Sequence, residues 1–217
     1  PNDEKLQASI TLHDETRRLV EALSAQRQSF TAREFFGILD AAQIMPRERF
    51  NPLLDQLLSG LVDAVARSQR PSETGPGLFL TGAVLDEIRL LELIDDLGAR
   101  VAGDDLCTGS RHFHGRVGTE APPLEALADY YLKRPPCPTK YHPTHDPAHY
   151  LLEQVDWTRA DGIVFILEKF CEPHAFDYAR VLPSLDEAGV PHLLLEMEQT
   201  PSLEALRTRL QAFVETL

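Results

Sequence analysis

The run Gly162-Ile-Val-Phe-Ile-Leu167 narrows the fold more than any other feature, because a short segment apolar on both faces is hidden only as a strand covered on two sides. It has companions at Leu78 to Leu80, Ala99 to Ala102 and Pro191-His-Leu-Leu-Leu-Glu196. Amphipathic stretches separate them: Asp86 to Leu97, Leu124 to Leu132, Ala148 to Trp157, Phe176 to Ala188 and a last one from Ser202 to Thr216. Buried strands alternating with helices predict a flavodoxin-like α/β domain, a four-stranded parallel sheet with helices on both faces.

The preceding sequence has a different rhythm. Leu12, Leu19, Val20 and Leu23 recur at helical spacing, and Thr31 with Glu34 forms a capping box ahead of Phe35, Phe36, Ile38 and Leu39. Pro46 suits the first turn of a third helix with a wide apolar stripe: Phe50, Leu53, Leu54, Leu57, Leu58, Leu61, Val62 and Val65. The punctuation PSETGPG at 71–77 closes this part. The expected organisation is a helical connector over 1–70 and an α/β domain over 71–217.

Charge and cysteine usage exclude several function classes. A net charge of −13, with 21 scattered basic residues, argues against a nucleic-acid partner, since phosphate binding draws on clustered Lys and Arg. No apolar stretch is long enough for a membrane span, and PNDEKLQ has no signal-peptide character, so a cytoplasmic protein is expected. Three widely spaced cysteines, Cys107, Cys137 and Cys171, disfavour a disulfide framework and predict free thiols.

In a doubly wound sheet, ligands sit beyond the carboxyl ends of the strands, near the point where strand order reverses. That rule selects Asp104, Asp105 and Cys107 after the second strand, Glu168 to Cys171 after the third, and Glu196 and Glu198 after the fourth. Cys107, followed by Thr108, Gly109, Ser110 and Arg111, combines a thiol with donors and a cation that favour thiolate. A plain structural reading makes the same segment a tight capped turn. Cys171 precedes Pro173, where a helix can begin, and a helix N-terminus favours negative charge, which suits a thiolate ligand or nucleophile; a half-buried structural cysteine is the alternative. Cys137 lies in the stiff loop Pro135-Pro-Cys-Pro-Thr139, which presets either a ligand or a turn. His112, His114, His142, His145 and His149 add zinc vocabulary, yet no CxxC or HExxH spacing accompanies them. Nucleophile-elbow, Walker and dinucleotide-binding motifs are lacking too.

The ordered segments DDLCTGSRHF, PLEALADYYL leading to PPCP, ADGIVFILEKFCEPHAFDY, GVPHLLLEMEQ and LRTRLQAFVE resemble the 2-hydroxyacyl-CoA dehydratase family, which includes benzoyl-CoA reductase subunits and double-cubane-cluster proteins. The leading LHDETRRLVEAL and the Thr31 to Pro46 helix resemble that family's helical connector. The resemblance implies a subunit of two flavodoxin-like domains with a 4Fe-4S cluster between them, held by three cysteines with one iron site open. It also implies a second related subunit, in a homo- or heterodimer, and an ATP-dependent activator iron-sulfur protein that injects one low-potential electron. The acyl-CoA substrate would undergo radical dehydration of a 2-hydroxyacyl group or reduction of a benzoyl ring.

Matched residue by residue, Cys171 in EKFCEPH corresponds to the family's carboxy-terminal cluster cysteine and is the metal candidate. Cys107 and Cys137 match family segments as further cofactor-binding candidates, and Ser110, Arg111, Lys169 and His174 are weaker substrate candidates. No catalytic residue is assigned. The chain starts at Pro1, so the expectation is a carboxy-terminal fragment lacking the amino-terminal α/β domain, without a cluster and inactive on its own. A non-catalytic interaction or scaffold domain is the alternative reading, with a zinc-stabilised binding module behind it.

Overall fold

In the computed structural model, which describes residues 2–66, 75–140, 146–198 and 202–217, β1 (Gly77–Gly82), β2 (Arg100–Asp104), β3 (Gly162–Glu168) and β4 (His192–Met197) form one parallel sheet. Their order is β2-β1-β3-β4, so the chain reverses direction across the sheet between β1 and β3. Leu78 pairs with Gly162 and Gly82 with Ile166, placing the two most buried strands at the centre.

Side chains alternate across the pleat as a period of two demands. On one face, Phe79, Ile163 and Phe165 pack with Leu151 of α7 (Pro147–Thr158) and with Val181 and Leu185 of α8 (Glu172–Ala188). Helices α4 (Ile88–Asp96) and α9 (Leu203–Val214) pack together, α4 against β2 and α9 against β4. This is the expected flavodoxin-like layering. Helix α8 starts about a turn earlier than apolar periodicity predicts, because Pro173 pre-sets the first helical φ although its neighbours are polar.

The remaining helices are α1 (Asp3–Ser24), α2 (Ala32–Ile44), α3 (Arg47–Ala66), the short α5 (Ser110–Phe113) and α6 (Pro123–Lys133), with a 3-10 turn at Arg27–Ser29. The capping box forms: Thr31 N–H donates to the Glu34 carboxylate at 2.9 Å, and Glu34 N–H donates to the Thr31 hydroxyl at 3.2 Å. Helices α1 and α3 are tied by the buried Thr16 hydroxyl donating to Asn51 Oδ1 at 2.7 Å, while the Asn51 amide donates to the Leu12 carbonyl. Only part of the α3 stripe is covered by this packing: Phe50 and Leu54 are buried, whereas Leu53 and Leu57 face solvent. Val62 and Val65 lie outside the described side chains, as does most of the segment at 71–77 outside the described residues.

The chain divides into two compact units, one of residues 1–30, 35–71 and 113–135, the other of 31–34, 72–112 and 136–217. Residues 113–135 therefore follow the second strand in order yet pack with the leading helices. Asp14 accepts from the amides of Val117 and Gly118, and Arg17 Nε donates to the Tyr130 hydroxyl at 3.1 Å. Among the described residues, no helix is long and apolar enough to cross a membrane.

Gly82 ends β1 at φ 127°, where an added Cβ would lie 2.1 Å from the Ile166 carbonyl oxygen. Gly37, inside α2, has nothing within 4 Å of an added Cβ. Gly82→Ala should destabilise the chain by about 2 kcal/mol or more, and Gly37→Ala should stabilise it by about 0.5–1 kcal/mol. Denaturant unfolding of the two variants beside the wild type checks both signs.

Candidate functional site

Because the strands are parallel, the segments that follow β1, β2 and β3 leave from one edge of the sheet. The turn after β2 is built by its two aspartates. Asp104 accepts from the Ser110 amide and the Ser110 hydroxyl, both at 2.7 Å, and so caps α5. Gly109 is required there, since a Cβ would meet Asp104 Oδ1 at 1.9 Å. Asp105 turns the other way and pairs with Arg111 at 2.8 Å, both residues being buried. Backbone bonds from Asp105 N to Leu80 O and from Cys107 N to Ala83 O lace this turn to the end of β1.

After β3 the chain makes a tighter exit. Phe170 takes a left-handed conformation, φ 71°, and is 92% exposed. Such a φ is strained for an aromatic residue, and strain of this kind gathers at functional sites. Cys171 is the cap residue of α8: its amide donates to the Glu168 carbonyl, and its own carbonyl accepts from Ala175 N. Among the described residues, nothing hydrogen-bonds its half-buried sulfur. His174, on the first turn of α8, is buried and reaches across to the turn after β2.

There it meets Cys107, whose sulfur lies 3.8 Å from His174 Nε2, 3.7 Å from Arg111 Nη1 and 3.8 Å from the Gly82 carbonyl oxygen. Burial pushes the Cys107 thiol up, and Arg111 only partly opposes this. The cation expected to favour thiolate is already engaged by Asp105. Burial pulls the Arg111 pKa down, but the charge and hydrogen bond of Asp105 outweigh that loss, so the guanidinium stays charged. His174 is held neutral, its pKa lowered to about 4 by burial and by the Arg111 charge.

Of the residues selected from sequence, Cys107, Arg111 and His174 come into contact. Cys137 lies half-buried in a turn with its sulfur 3.2 Å from the Thr139 hydroxyl, and its proximity adds to the rise of the Cys107 pKa. Ser110 is occupied by Asp104, and Lys169 pairs with Glu198 at the surface, 2.6 Å away. His142 and His145 lie outside the described residues, and His149 pairs with Glu153 on the surface of α7. Among the described residues, no three Cys, His or carboxylate side chains are gathered to hold a metal. Cys107, Cys137 and Cys171 thus do not form a three-thiolate cage. Of the three, Cys171 would fit as a single thiolate donor to an iron–sulfur group.

A cavity beside the Cys107 turn is lined by Thr81, Asp105, Tyr150 and Asp177 as well as Arg111 and His174. Tyr150, from the first turn of α7, is not among the residues selected from sequence, since nothing in DPAHY marks it. Between pH 6.5 and about 4 the unfolded chain takes a proton at residue 174 and the folded chain does not. Folding stability should therefore fall as pH drops through that window, with this residue contributing up to about 1.4 kcal/mol per pH unit, and be fully present above it. His174→Gln should flatten the dependence of unfolding free energy on pH; an unchanged slope would contradict the burial of a neutral imidazole.

Comparison with known proteins covers the whole chain. The family model described as 2-hydroxyglutaryl-CoA dehydratase, D-component, matches residues 1–217. The chain is 30% identical to the (R)-phenyllactyl-CoA dehydratase beta subunit of Clostridium sporogenes, over 99% of this chain and 58% of that protein. It is 28% identical to the lactoyl-CoA dehydratase subunit beta of Anaerotignum propionicum, over 98% of this chain and 57% of that protein. It is 23% identical to a benzoyl-CoA reductase subunit of Thauera aromatica, over 99% of this chain and 57% of that protein. The chain thus spans a little over half the length of these relatives, and it belongs to the 2-hydroxyglutaryl-CoA dehydratase D-component family.

Proposed function

We propose that this chain is the carboxy-terminal part of an acyl-CoA-processing enzyme subunit and that it contributes Cys171 as one thiolate to a 4Fe-4S cluster. The observation that carries the reading is the position of Cys171: it follows β3 at the carboxyl edge of a parallel sheet, caps α8, and has no hydrogen bond to its sulfur among the described residues. A helix N-terminus favours the negative charge a thiolate ligand must carry. The companion thiolates would come from sequence outside this chain. When bound, such a cluster supplies low-potential one-electron chemistry.

The chain's own residues have simpler tasks in this reading. Arg111 and Asp105 form a fixed, mutually neutralised ion pair behind the edge, and His174 closes the gap between the turns after β2 and β3. The exposed ring of Phe170, next to Cys171, offers an apolar contact to a facing surface. Dehydration of a 2-hydroxyacyl-CoA is favoured over ring reduction, because the relatives of higher identity are named dehydratase subunits. Their names also mark them as subunits, so a second subunit is the expected partner; the ATP-dependent activator proposed as electron donor rests on the family resemblance alone.

The test is anaerobic expression of the full coding sequence that contains this chain, with iron and sulfide analysis and electron paramagnetic resonance of the reduced protein. The wild type should show a cluster signal, and Cys171→Ala should lose most of the iron or change the spectrum while keeping its unfolding midpoint. An unchanged spectrum and iron content in Cys171→Ala would refute the ligand. No cluster in the wild type would favour a scaffold role.

A further inference from the structure

The cavity beside the Cys107 turn has an interior of about 40 Å³ and, with its open mouth, about 400 Å³ of space. The interior has room for two or three waters or for the end of a small ligand. Leu151, Phe165 and Val181 give it apolar walls. Thr81, Arg111, His174, Asp177 and Tyr178 also line it, and two polar groups of opposite character face it from separate elements: Asp105 from the turn after β2 and Tyr150 from α7.

Asp105 is 3% exposed, and Arg111 takes up only Oδ2. Oδ1 is buried with no hydrogen-bond partner among the described residues. A buried carboxylate oxygen left this way is costly, so a donor from outside the protein is called for. Tyr150 supplies the opposite polarity. Burial and the charge of Asp105 push its phenol pKa up, so the hydroxyl keeps its proton to donate.

Charge then decides the class of ligand. Asp105 and Arg111 neutralise each other, and Asp177 has Arg180 at 3.5 Å, so an ion entering the apolar interior would lose its hydration without gaining a counter-charge. An uncharged group that donates from one atom and accepts at another matches the two polar sites. We propose that this cavity binds a carboxamide at the end of a small molecule, its N–H donated to Asp105 Oδ1 and its carbonyl accepting from the Tyr150 hydroxyl. The site needs neither Cys171 nor a cluster, so it stands apart from the function proposed above.

Ligand-observed NMR titration of the 217-residue chain with propionamide, propionate and propylammonium tests this. Propionamide should bind saturably in the millimolar range and more tightly than either ion. Tyr150→Phe, which removes one hydroxyl, should weaken that binding about five-fold, and Asp105→Asn at least as much. Thermal unfolding shows whether each variant keeps its fold, and Tyr150→Phe suffices if Asp105→Asn does not. Absence of saturable propionamide binding, equal or tighter binding of an ion, or unaltered affinity in folded Tyr150→Phe would each overturn the assignment.

Discussion

The structure of the second unit depends on one pairing, that of β1 with β3 at the centre of the sheet. Both strands are buried on both faces, and their parallel register fixes the ends Gly82 and Glu168 on the same edge. With β2 added outside β1 and β4 outside β3, the connections leave in opposite directions, and a crevice opens between them. Residues 82, 107 and 174, distant in sequence, meet there because of that topology. A one-residue slip of β3 would turn Ile163 and Phe165 toward the opposite layer of helices, so burial itself enforces the register.

The second constraint is the ion pair of Asp105 and Arg111. A buried pair of this kind is weak evidence for stability, since desolvation offsets most of the attraction. Its consequence here is chemical. The charge of Asp105 offsets a small part of the support that Arg111 gives Cys107, and burial, the larger effect, leaves Cys107 enclosed and held toward the thiol form. Cys171, on the next strand's exit, is half-buried too, but among the described residues nothing hydrogen-bonds its sulfur. Two cysteines on one edge thus have different surroundings, and the proposal of Cys171 as a ligand rests on those surroundings more than on the residue type.

Much of this was legible in the sequence. The doubly apolar run at 162–167 and the alternation of strands and helices lead directly to the parallel sheet, and the Thr31–Glu34 capping box forms as its spacing requires. The ordered segments pointed to the family that the whole-chain match supports. What stayed hidden was long-range. Apolar stripes do not say which side will be covered, so Leu53 and Leu57 of α3 remain exposed where a wider buried face was expected. Local motifs do not report that Asp105 will claim Arg111, nor that His174 will cross 67 positions to reach Cys107. Tyr150 carried no signal because its role comes only from the packing of α7 over the strand ends.

Everything proposed for the cluster requires the sulfur of Cys171 to look outward from the sheet edge toward iron. Diffraction at the iron absorption edge, from crystals of the full-length protein grown without oxygen, measures this directly. The expected result is an anomalous peak within bonding distance of Cys171 Sγ at the head of α8, with Cys107 still enclosed by Arg111 and His174. Iron bound by other residues alone, with the Cys171 sulfur turned into the apolar layer beneath α8, would rule the ligand out.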